Sequence, residues 1–213
     1  MAETNNYKSR RQILDILKQE GEKTAEELGE RLGVTAMAVR QHLYDLEAES
    51  LVRHEARPAG RGRPRKWWCL TPAADRFFPD GHAELTTGLL GAMREAFGDE
   101  GLERLLAVRR AGLIETYAKV VAPHDALENR LAALAAERSR EGYMAEVMPH
   151  PQGGWLLVEN HCPICTAASA CSGLCRIELE AFRAVLGQST QVAREDHILA
   201  GARRCAYRVV GDD

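Results

Sequence analysis

Apolar residues recur along this chain with two different periods, and the points where the period changes divide it into elements. Over 9–20, Ile13, Leu14, Ile16 and Leu17 form one helical stripe, with Ser9 placed to cap it and Gly21 to end it. Thr24 followed by Glu27 has capping-box form, in which a hydroxyl and a carboxylate each satisfy an otherwise free amide. A short helix over 25–32 turns Leu28 and Leu32 inward. Gly33-Val34 makes a tight turn, and Thr35 caps a third helix running to about 49. Ala36, Val39, Leu43 and Leu46 are its apolar face, which leaves Arg40, Gln41 and Tyr44 pointing outward. Two strands, 51–57 and 66–71, then flank the Gly/Pro-broken loop 58–64. Trp67, Trp68 and Cys69 read as strand residues packing on the helices, Cys69 as a buried small apolar group.

The second half alternates in the same way. Thr71-Pro72 opens a short helix that ends at the boundary 79–81. Helical spacing returns over 83–97, breaks at 98–101 and resumes over 102–121. After Pro123, Asp125 caps a helix to 141 with Leu127, Leu131 and Leu134 on one stripe. Stretches 143–150 and 155–159 flank a Gly-Gly turn and predict a hairpin. A helix over 177–186 and strands over 191–197 and 206–210 complete the chain, while the cysteine-bearing stretch before them reads as a loop. The expected fold is mostly α with small β elements. It has three parts: a winged helix-turn-helix over 1–78, a helical linker and dimerisation segment over 79–141, and a small α+β, Cys-rich sensor domain over 142–213.

Composition and charge change this picture in one respect. The net charge is −3, which is unlike a nucleic-acid binder, but residues 1–70 carry 13 Lys/Arg against 11 Asp/Glu and Arg53–Lys66 hold six basic residues and one acid. A basic wing on an acidic protein is an electrostatic footprint for duplex DNA, with Arg61, Arg63 and Lys66 placed to meet phosphates or a narrow minor groove. No apolar run is long enough for a membrane span, and the N-terminus lacks an apolar leader, so no membrane partner is expected and the expected compartment is the cytoplasm.

In a reducing compartment, dense cysteines point to metal or redox chemistry more than to disulfides. Five of the six fall in 162–205 as C-x2-C-x5-C-x3-C-x29-C. Three chemistries fit. Some of these thiols can be buried small apolar groups. Cys162/Cys165 with Cys171/Cys175 can make the four-thiolate set of a zinc site, which leaves Cys205 idle. An iron–sulfur cluster can draw its thiolates from separated elements. A thiol oxidoreductase built on Cys162-Pro-Ile-Cys165 is a remote fourth reading, because the βαβ context is missing and no nucleotide loop or triad accompanies it; no enzyme is expected.

Two resemblances add to this. The stretch KTAEELGERLGVTAMAVRQHLYDLEAESLV followed by RGRPRKWWCLT resembles the winged-helix domain of ArsR/DeoR-type transcriptional regulators. That resemblance implies a homodimer placing the helix after Thr35 in the major groove of a palindromic operator, with Thr35, Arg40, Gln41 and Tyr44 facing bases or phosphates. The frame NHCPI, then C-x2-E-L-E-x-F, then G-x3-C-x-Y resembles the sensor domain of SufR-type repressors, which carry a [4Fe–4S] cluster. It implies Cys162, Cys175 and Cys205 as ligands; Cys165 is the expected fourth, zinc is the alternative metal, and His161, His197, Arg203 and Arg204 are expected beside the site. The function expected on these grounds is a DNA-binding repressor gated by the cluster.

Overall fold

The computed structural model describes residues 2–58 and 64–211. The chain divides into two compact units, Met1–Asp80 and Gly81–Asp213.

The first unit is a winged helix-turn-helix. Helices α1 (Ala2–Glu20), α2 (Ala25–Leu32) and α3 (Ala36–Ala48) precede the antiparallel strands β1 (Val52–Arg57) and β2 (Arg65–Leu70). The expectation that Ser9 starts the first helix is corrected: α1 begins at Ala2, because no proline or glycine interrupts 2–8. The capping box forms as expected. The Thr24 backbone amide donates to Glu27 Oε2 at 2.7 Å, and the Glu27 amide donates back to Thr24 Oγ1 at 3.3 Å. The first of these bonds holds the Glu27 carboxyl below its ordinary range. Gly33 ends α2 at φ +67, a conformation that favours glycine. Gly29 lets the turn close, since a Cβ there would stand 2.8 Å from the Val34 carbonyl oxygen.

Ile13, Leu14, Leu17, Leu28, Val39, Leu43 and Leu46 bury together, and Trp68 of β2 closes the core. Lys23 and Trp68 exchange backbone hydrogen bonds of 3.1 and 2.8 Å, tying the wing to the α1–α2 link. Cys69 is half-buried, not buried as its sequence context suggests; it follows Trp68 on the strand, and alternation turns it to the opposite face. A 3-10 turn, Pro72–Phe77, ends the unit; Thr71 precedes it and donates to the Ser50 carbonyl at 2.5 Å instead of capping it.

The second unit packs helices on an antiparallel sheet. Helix α4 (His82–Val121) carries a break at Gly98 (φ 68, ψ −176), so the expected four-residue interruption shrinks to one left-handed glycine. Helix α5 is Leu127–Arg140, preceded by Ala126 and not by a capping Asp125. Strands β3 (Ala145–Pro149), β4 (Trp155–Glu159), β5 (Thr190–Asp196) and β6 (Cys205–Gly211) form a sheet of order β3-β4-β6-β5. Gly154 shapes the β3–β4 turn at φ +80, where a Cβ would meet the Val209 carbonyl at 2.5 Å. The loop expected over 161–175 is in part helical, as α6 (Cys165–Ala170), and α7 (Gly173–Leu186) begins earlier than expected. One core joins the helices to the inner sheet face, through Leu106, Tyr117, Leu131, Phe182, Leu157 and Tyr207. Leu156, Val158 and Ala206 alternate to the opposite face and bury there as a smaller cluster. Among the described residues no helix is long and apolar enough to cross a membrane.

Candidate nucleic-acid interface and the cysteine-bearing unit

Helix α3 and the base of the wing enclose a groove of about 930 Å³, lined on one side by Met37, Arg40, Gln41 and Tyr44 and on the other by Arg65 and Lys66. Four residues singled out from the sequence, Arg40, Gln41, Tyr44 and Lys66, therefore meet on one surface. The packing of Val39, Leu43 and Leu46 inward is what turns Arg40, Gln41 and Tyr44 out. Each is held differently. Thr35 spends its hydroxyl on the cap, accepting from the Ala38 amide at 3.3 Å. Arg40 is paired with Glu26 of α2. Tyr44 meets Trp68 edge-on at 5.6 Å between centroids, and the Lys66 ammonium lies 4.9 Å from the Tyr44 ring. Arg61 and Arg63 lie outside the described residues. Met37 and Arg65 belong to this surface and were not singled out; the i, i+4, i+7 spacing of 37, 41 and 44 is the signal that finds the first.

The cysteines do not form a metal centre. Among the described residues no three or more His, Cys, Asp or Glu side chains are grouped to hold a metal ion. This overturns the expected [4Fe–4S] cluster on Cys162, Cys165, Cys175 and Cys205, and the zinc alternative with it. Cys165 opens α6 and Cys171 follows its end, so a helical rise of about 9 Å separates their backbone positions, which the spacing alone does not reveal. Cys171 lines a separate cavity of about 210 Å³ with Leu102, Leu106 and Gly173. Cys162, Cys165, Cys175 and Cys205 lie near enough to feel one another's charge. Burial pushes Cys162 up to about 12 and Cys175 up to about 11, and it raises Cys205 as well. A raised Cys162 is the opposite of the lowered thiol pKa that a C-x-x-C oxidoreductase uses.

Arg203 and Arg204 turn away from these thiols: Arg203 donates to Asn160 Oδ1 at 3.4 Å, and Arg204 lies 3.8 Å from Asp196. Arg194 takes the position beside them, donating to the Cys175 carbonyl at 2.5 Å. His197 is held below its ordinary pKa by burial and by Arg194.

Next to the thiols sits a network that nothing in the sequence marks. Arg138, 1% exposed, reaches Glu159 at 2.6 Å, Glu178 at 3.0 Å, the Tyr117 hydroxyl at 2.8 Å and Glu141 at 3.1 Å. Its guanidinium carbon lies 3.3 Å from the centre of the Tyr143 ring, and the Tyr143 hydroxyl donates to Glu178 at 2.7 Å. In the sequence Arg138 looks like an ordinary basic residue closing an exposed helix end.

Residues 9–58 match the family described as HTH domain. No curated protein matches the chain at a meaningful level. Among solved structures, the chain is similar to the adhesin competence repressor of Streptococcus pyogenes, at 18% identity over 46% of this chain and 72% of that one, with a TM-score of 0.30. The Thermotoga maritima transcriptional regulator Tm0710 matches at 22% identity over 51% and 75%, TM-score 0.31. Bacillus subtilis PadR, solved with operator DNA, matches at 12% identity over 63% and 93%, TM-score 0.30. Overlaps this low carry no argument about how the present chain acts.

Proposed function

We propose that this chain is a transcription regulator, acting as a repressor, that binds a palindromic operator as a homodimer through α3 and the wing. The observation that carries the reading is the groove in which Arg40, Gln41, Arg65 and Lys66 converge on the exposed face of a helix capped by Thr35. That helix has the width to enter a major groove, and Arg65 and Lys66 of the wing base stand where phosphates would flank it. A second copy is supported by the apolar residues left exposed along α4, among them Leu85, Leu89, Phe97, Leu105 and Val108. Two-fold pairing would place half-sites about one helical turn, ~10 bp, or a multiple of it apart.

Fluorescence anisotropy of the full chain on random-sequence duplex DNA at several salt concentrations tests this. Binding is expected to weaken with salt, and Arg65→Ala and Lys66→Ala are each expected to lower the slope of log K against log salt by about 1. Binding with an unchanged slope in both variants would refute the placement of the wing base on the backbone.

A further inference from the structure

The outer face of α3 is not uniformly polar. Met37, in its first turn, is 73% exposed, the most exposed of the large apolar side chains among the described residues. Val34, in the turn before the helix, is 47% exposed. Met37 plays no part in the buried core of its unit. Two of its neighbours in the groove are engaged, Arg40 with Glu26 and Tyr44 with Trp68 and Lys66, while Met37 lines the groove with most of its side chain exposed. Folding gains little from an apolar side chain left in water, so its use lies in what enters the groove.

We propose that Met37 selects a thymine, packing its thioether end on the 5-methyl group of one T·A pair in each half-site. The inference rests on the reading of α3 as the helix that enters the major groove. The first turn of such a helix is the part that reaches base edges. Those edges offer hydrogen-bond donors and acceptors and a single apolar group, the thymine methyl. Methionine has no donor and only a weakly accepting sulfur, so it cannot tell bases apart by hydrogen bonding. What it supplies is a flexible, polarisable apolar surface that fits a methyl group and strips water from it. Val34 beside it widens the same apolar contact.

The test begins by enriching duplexes bound by the full chain from a random-sequence pool. In the best duplex each thymine is replaced in turn by deoxyuridine, which keeps the pairing and the O4 acceptor and lacks only the methyl. At one thymine per half-site the replacement is expected to weaken binding about fourfold, the factor that one buried methyl group is worth. Met37→Ala, at an exposed position outside the core, is expected to bind the thymine and deoxyuridine duplexes equally, with an unchanged salt slope because no charge is lost. Met37→Leu should restore part of the discrimination. Enriched duplexes that are indifferent to deoxyuridine at every position, or that are equally sensitive in Met37→Ala, overturn the proposal and leave DNA binding intact. A pool from which no sequence is enriched overturns sequence-specific binding, and the assignment of Met37 with it.

Discussion

Replacing Arg138 with methionine removes the buried cation that pairs with Glu159 and Glu178 and leaves those carboxylates in place. Methionine fills much of the volume of the arginine stem, so the loss is electrostatic more than steric. Arg138 is 1% exposed, Glu159 3% and Glu178 6%, so water cannot take over the missing bonds. Three ion pairs, at 2.6, 3.0 and 3.1 Å, and the hydrogen bond that Arg138 donates to the Tyr117 hydroxyl vanish together. Orphaning buried partners in this way costs about 3–5 kcal/mol.

The cost should depend on pH. Burial already pushes the Glu159 carboxyl up, against the pull of Arg138. Without Arg138 its folded-state value rises further, so the neutral acid is what the folded variant tolerates. A raised folded-state pKa contributes stability below the unfolded value, near about 4.3, and loses it as pH rises through the folded value. The gap between Arg138→Met and the wild type should therefore be narrower near about pH 4 and wider near about pH 7. Urea unfolding followed by circular dichroism at both pH values measures it. A cost under about 1 kcal/mol, or one that is the same at both, would mean that the network is solvated and the reasoning wrong.

Glu26→Gln should release Arg40 from its ion pair and strengthen DNA binding several-fold, with a sharper preference at one base pair, since a free arginine can pair bidentately with guanine for about 1–3 kcal/mol; competition binding against single-base variants of an enriched duplex reads this. Cys162, pushed up to about 12 by burial, should alkylate with iodoacetamide at a rate that climbs about tenfold per pH unit from about pH 7 to 10, because only the thiolate reacts. Peptide mapping after timed quenching follows it, and a plateau near about pH 8 would show a stabilised thiolate.

Much of the first unit was legible because its signals are local. The Thr24–Glu27 box, the left-handed Gly33 and the apolar spacing of Val39, Leu43 and Leu46 each act within one turn of their own residues. Once those residues pack inward, the outward placement of Arg40, Gln41 and Tyr44 follows from helical geometry alone. What Arg40 does there was not legible, because Glu26 lies fourteen residues earlier, on another helix.

The cysteines show where sequence spacing stops being informative. Their separations allowed a common centre, but separation along a chain becomes distance in space only once the intervening backbone is known. Six of those residues coil into α6 and carry Cys171 away from Cys165. The same holds for Arg138, whose partners Glu159 and Glu178 lie 21 and 40 residues away. By itself the sequence determined the helices of the helix-turn-helix and their caps at Thr24 and Thr35, since each is fixed by interactions a few residues long. Only the tertiary structure decided which thiols are buried, which arginine is buried and which side chains in the groove are engaged, because those outcomes depend on burial and on partners brought together from distant elements.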